Sequence, residues 1–118
     1  MKKLDIIIPK QDYLNLPIVY KVNGEVSKLG ETDLMFFSVK SNLVSDEYLI
    51  QKSLGNGITY DATEEKYYLE IDSNDTIKLN MNDTYLYDLT IYYEGTKPMQ
   101  KLYGQFKIGP KVTLNEVI

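Results

Sequence analysis

The side chains of this chain that could do chemistry are carboxylates, hydroxyls and tyrosines, because it contains no His, no Cys and no Arg. Thiolate nucleophiles, Cys-based metal sites and disulfides are therefore excluded. A Ser or Thr nucleophile needs a base to activate it, and no motif sets a Lys or a carboxylate beside one. Asp72-Ser73-Asn74-Asp75 carries the hard oxygen donors that calcium takes. A calcium loop continues with Gly and a distal Glu, and this segment does not. Asn, Ser and Asp also make turns by bonding their own backbone, which explains the segment more simply. Asp61, Glu64 and Glu65 form an acidic cluster that reads as a solvated loop. Glycoside hydrolysis needs two carboxylates held ~5–9.5 Å apart across a cleft, and no spacing here argues for such a pair. Gly24, Gly55 and Gly57 sit in turn sequences and make no phosphate loop. The expectation is a non-enzymatic protein with no catalytic residues, no metal site and no cofactor.

Tyrosine is the remaining candidate, with 11 copies. Tyr68, Tyr92 and Tyr103 fall on the polar side of alternating runs. If the last two runs pair symmetrically about their turn, Tyr92 and Tyr103 stand roughly opposite each other. The structural role is then a cross-strand aromatic pair worth ~0.2–1 kcal/mol. The functional role is a Tyr-rich contact surface, for a protein partner or for stacking on a sugar.

The 118 residues suit one domain, spanning 1–118, and are enough to bury a core without staples. The net charge of -4, with Lys as the sole basic residue type, offers no stripe for nucleic acid. No run approaches the ~18 apolar residues of a membrane span, so neither nucleic acid nor membrane is an expected partner. Lys2-Lys3 resembles the start of a signal peptide, but Asp5 interrupts the apolar run and Pro9 ends it. Lack of Cys fits a cytoplasmic origin.

The elements that must position these residues are strands. Tyr85, Tyr87, Leu89, Ile91 and Tyr93 alternate with Leu86, Asp88, Thr90 and Tyr92. After a turn at Glu94–Pro98, Leu102, Gly104, Phe106 and Ile108 alternate with Tyr103, Gln105 and Lys107. Alternation of this length marks strands with one buried face, and the short Gly-containing loop predicts a hairpin. Tyr85, Tyr87, Leu89 and Phe106 are the expected structural residues. Leu4–Ile8 reads as a strand ended by Pro9. Leu16–Val22 reads as a strand with Leu16, Ile18, Tyr20 and Val22 on one face, followed by an Asn23-Gly24 turn and a weak strand or loop at Glu25–Leu29. Asp33–Lys40 is apolar on both faces and so predicts a central strand. Tyr48–Leu54, Ile58–Tyr60 and Tyr67–Ile71 complete the set, and Asp72–Leu79 reads as a crossover with one helical turn. Seven to nine short strands without an amphipathic helix predict an all-β, antiparallel sandwich or barrel.

Asp83-Thr84-Tyr85-Leu86-Tyr87-Asp88-Leu89 has the spacing of the tyrosine corner of immunoglobulin domains. Tyr87 would be the corner residue and Leu89 would stand where those domains carry Cys, although Tyr85 could play the same part. This stretch, with Asp75-Thr76 before it and Leu102–Ile108 and Val112-Thr113 after it, resembles small structural proteins of tailed phages. Leu34–Lys40 and Ile18–Val22 resemble the same family, so the likeness covers residues 16–113. Asn82-Asp83 replaces the Gly common in the family before the Tyr-x-Tyr-Asp run. Asn and Asp tolerate left-handed backbone better than most residues.

The resemblance implies an immunoglobulin-like β-sandwich of the kind found at the N-terminus of phage baseplate, tail-fibre and head-fibre proteins. It implies a virion structural protein made in the host bacterial cytoplasm. Its partners would be other virion proteins, in a homo-oligomer or multi-copy assembly. With no receptor module after it, the expectation is a stand-alone attachment, decoration or adaptor component. The alternative is a carbohydrate- or receptor-binding adhesion module. Residues 109–118 read as a C-terminal extension. Its apolar Leu114, Val117 and Ile118 are expected, with Tyr68, Tyr92 and Tyr103, to form contact surface.

Overall fold

The computed structural model describes residues 2–9, 13–42, 44, 47–80 and 83–109. The described elements are β1 (Lys2–Lys3), β2 (Ile6–Pro9), β3 (Leu14–Ile18), β4 (Lys21–Val22), β5 (Glu25–Val26) and β6 (Leu34–Lys40). They continue with β7 (Ile50–Leu54), β8 (Gly57–Asp61), β9 (Lys66–Ile71), α1 (Ser73–Thr76), β10 (Thr84–Tyr93) and β11 (Lys97–Gly109). Nine strands form one curled sheet in the order β1-β11-β10-β6-β7-β8-β9-β3, with β2 following β1 along the same edge of β11. Among the described residues, β4 and β5 pair only with each other. The fold is all-β.

Alternation dictates the inner face. Met35, Phe37 and Val39 of β6, Tyr67, Leu69 and Ile71 of β9, and Tyr85, Tyr87, Leu89 and Ile91 of β10 are all buried. With Phe106 and Ile108 of β11 and Ile6 and Ile8 of β2 they make one cluster. The sheet folds over this cluster at the short join between β7 and β8. There only Ser53 pairs with Gly57 and Leu54 with Ile58, and the two strands run parallel. Gly55 and Gly57, with φ of 83° and 97°, take the left-handed backbone that this corner needs. β6 is central, between β10 and β7, as its two apolar faces predict.

Several expectations change. The sheet is mixed, because β1 and β2 lie parallel to β11 as well as β7 to β8. Strand number rises to eleven among the described residues, since β1, β4 and β5 are two-residue pieces too short to show a pattern. The predicted strand at Leu16–Val22 splits: β3 ends at Ile18, and Val22 turns out to solvent on the small hairpin. Asn23 and Gly24 (φ 52° and 82°) close that hairpin with the predicted turn, both residues at positive φ. The β10–β11 turn is tighter than its sequence reads, with Tyr93 already paired to Lys97. Asp72–Leu79 holds the expected single helical turn.

The N-terminal strand is bound to β11 by a break in its middle. At Leu4 the backbone N–H donates to the Tyr103 carbonyl at 2.9 Å, and the Gln105 N–H donates to Asp5 Oδ1 at 2.9 Å. The Tyr87 hydroxyl donates to the Leu4 carbonyl. Gly104 is required beneath this knot, because a Cβ there would strike the Leu4 carbonyl and stand 2.9 Å from Asp5 Oδ1. The Asp5 that interrupts the apolar run is thus the side chain that replaces a ladder bond.

Candidate binding face

The side chains of β6, β10 and β11 that point away from the core form a trough of about 950 Å³. Pairing register sets its rows. Gln51, Ser38, Asp88, Tyr103 and Lys3 follow one another across β7, β6, β10, β11 and β1. On one side lies the row Lys40, Leu86, Gln105. On the other lie Phe36, Thr90 and Gln100, then Leu34, Tyr92 and Pro98. A polar band therefore crosses the sheet between flanks that carry aromatic and aliphatic groups.

The band is ordered by its own contacts. Gln100 Nε2 donates to Asp88 Oδ2 at 3.2 Å. Gln51 Nε2 reaches Ser38 Oγ at 3.5 Å. Phe36 and Tyr92 meet edge to face, with ring centroids 5.6 Å apart, a favoured aromatic geometry. Lys40 Nζ lies 4.7 Å from the Tyr48 ring centroid at one rim. Asp88 is the one carboxylate among the residues lining the trough, and among the described residues no Lys forms an ion pair with it.

The structure brings Tyr92 and Tyr103 to this face but not opposite each other. Tyr92 pairs with Pro98, and Tyr103 with Asp88. The tight turn and a bulge between Leu89 and Thr90, which leaves Lys101 without a partner in the register, shift β11 against the symmetric expectation. Tyr68 is elsewhere. It lies on the outer side of β9 between Thr59 and Pro17, in a shallow hollow with Asp61, Glu64 and Glu70. Leu114, Val117 and Ile118 lie outside the described residues. Phe36, Asp88, Gln100 and Gln105 were missed as surface candidates. The signal for Phe36, Asp88 and Gln105 was only that they alternate with core residues, and Gln100, beside the bulge, had none.

The structural tyrosines separate into two roles. The local bond belongs to Tyr85, whose hydroxyl accepts the Asn80 N–H at 2.9 Å. Tyr87, expected as the corner residue, makes no such local bond and holds the N-terminal strand instead, its hydroxyl donating to the Leu4 carbonyl. Burial is the main cause that pushes the Tyr87 hydroxyl up to about 12, with the Asp5 carboxylate adding to it. Burial also raises Tyr20 to about 12, helped by its 2.9 Å bond to the Tyr93 hydroxyl. Tyr67 is raised chiefly by burial, and its hydroxyl accepts the Leu29 N–H at 2.8 Å.

The carboxylates weighed as metal ligands have other work. Asp72 Oδ1 accepts the Asp75 N–H at 3.1 Å and Asp75 Oδ2 accepts the Asp72 N–H at 2.9 Å, a capping box for α1. Asp75 also pairs with Lys52 at 2.9 Å. Asp61 Oδ1 accepts the N–H groups of Thr63 and Glu64 in the β8–β9 turn. No protein-family model matches the chain, and no curated protein matches it either.

Proposed function

We propose that this chain is a non-enzymatic structural protein of a tailed phage or prophage virion. It would serve as an attachment, decoration or adaptor component of baseplate, tail or head that works by docking onto other virion proteins. The fold we infer for it is an immunoglobulin-like sandwich. Support comes from pairing order. β6-β10-β11 follows the C-F-G sheet of such domains, and β3-β9-β8 follows the B-E-D order of the facing sheet. The Tyr85–Asn80 bond at the entry to β10 adds the corner. Glycoside hydrolysis calls for two facing carboxylates, whereas Asp88 is the one carboxylate lining the trough.

The observation that carries docking is the free edge of β2. This strand pairs only with β11 among the described residues, and Ile7 on it is 66% exposed. An edge strand with an exposed β-branched residue is a template for strand addition. The apolar C-terminal sequence continues from Gly109, which pairs with Pro9 of the same strand. Light scattering and pull-down against the products of neighbouring genes test the proposal. Ile7→Glu, and separately deletion of 114–118, should weaken self-association or binding to a tail, portal or capsid protein while the circular dichroism spectrum stays the same. A protein that is monomeric and binds none of these overturns it.

A further inference from the structure

We infer that the trough on the outer face of β6, β10 and β11 is a binding site for a neutral, hydroxyl-rich oligosaccharide. This goes beyond strand docking at β2 and does not rest on it. The lining narrows the ligand class. Asp88, the one carboxylate of the lining, stands in the middle of the band, whereas the two lysines of the lining, Lys3 and Lys40, stand at its rims, Lys40 over the Tyr48 ring. Among the described residues neither lysine pairs with Asp88, so the centre of the trough opposes an anionic group such as a phosphate or an acidic sugar. A purely apolar occupant would strip water from Ser38 and Asp88 of the band and from Gln105 beside it, which is costly. A hydroxyl group both donates and accepts. It can therefore donate to Asp88 and accept from the amides of Gln100 and Gln105 at once. The half-buried rings of Tyr103 on the band and Tyr92 beyond it present flat apolar surface to the C–H faces of sugar rings. The volume of about 950 Å³ lies in the ~300–1,000 Å³ range of small-molecule sites. Two aromatic platforms on separate rows suit a chain of several rings rather than a single one.

Full-length, fluorescently labelled protein on an array of neutral and anionic glycans tests this, followed by titration of the isotope-labelled protein with the neutral glycans retained. Binding to neutral glycans is expected, with resonance shifts on β6, β10 and β11. Tyr103→Ala should weaken affinity at least about tenfold. Asp88→Asn keeps the shape of the side chain and removes its charge, and should weaken affinity without altering the fold. Tyr68→Ala, on the far side of the sheet, should bind as the parent does. The inference is overturned if no neutral glycan is retained, or if anionic glycans bind as well as neutral ones. It is equally overturned if Tyr103→Ala and Asp88→Asn both bind like the parent. Trough resonances that shift with protein concentration alone would identify the face as an interface between copies, and would overturn it too.

Discussion

At the scale of single residues, hydroxyls and one glycine decide more than any charged group. Tyr87 reaches across Gly104 of β11 to hold the Leu4 carbonyl, so Tyr87→Phe should cost ~0.5–1.5 kcal/mol, read from urea melts. Gly104→Ala forces a methyl into the Leu4 backbone and should cost ~1–3 kcal/mol by overpacking. Leu89 is 2% exposed in the core, and Leu89→Ala should cost ~2–5 kcal/mol. The raised tyrosines predict a pH dependence. Tyr87 and Tyr20 keep their protons in the fold up to about 12, while the unfolded chain releases them near the ordinary 10.0. Between those values the unfolded state holds fewer protons, so stability falls as pH rises. Below about pH 10 their contribution is fully present. Urea midpoints from pH 8 upward should stay level with respect to these groups and then drop, and Tyr87→Phe should flatten the drop.

At the scale of elements, the short pieces are held by side chains rather than by length. α1 has four residues and persists because Asp72 and Asp75 cap each other while Asp75 reaches Lys52. Asp72→Ala should cost ~0.5–2 kcal/mol. Since both carboxylates already have partners, calcium or a chelator should leave the melting temperature where it is. The turn before β11 is tied down likewise, with Asp33 Oδ1 accepting the Glu94 N–H at 2.9 Å and Oδ2 the Gly30 N–H at 2.8 Å. Asp33→Ala removes both bonds and should loosen the loop and the hairpin together, seen as faster amide exchange at Gly30 and Glu94. The β4–β5 hairpin has no sheet neighbour among the described residues, and two-stranded hairpins are marginal alone. Its amides should exchange first.

At the scale of the whole molecule, one curled sheet encloses one core and turns its other surface outward. That outer surface carries the trough, and β2, an edge strand among the described residues, carries the exposed Ile7. The two are separable by mutation, so Ile7→Glu should alter association without altering glycan binding, and Tyr103→Ala should do the reverse. A far-UV circular dichroism spectrum should be β-rich, with helix far below the roughly one-third of an average globular protein.

The inward faces of β6, β9 and β10 were legible in the sequence, because burial on one face of a strand imposes a two-residue period on the residues themselves. Turns at Asn23-Gly24 and Gly55-Asn56-Gly57 were legible for a similar reason, since positive φ selects residue types locally. Which tyrosine would make the local bond before β10 was not: Tyr85 and Tyr87 have the same spacing pattern, and only the arrival of Leu4 beside Tyr87 separates them. Nor was the trough. Asp88, Tyr103 and Ser38 become neighbours through a bulge at Lys101 and the register of three strands, and register over such separations depends on contacts between distant segments. The parallel course of β1 and β2 along β11 is likewise a tertiary decision. Sequence alone determined the strands and their buried faces because those follow from local periodicity. Tertiary structure decided which outward side chains share a surface, because that depends on how distant strands align.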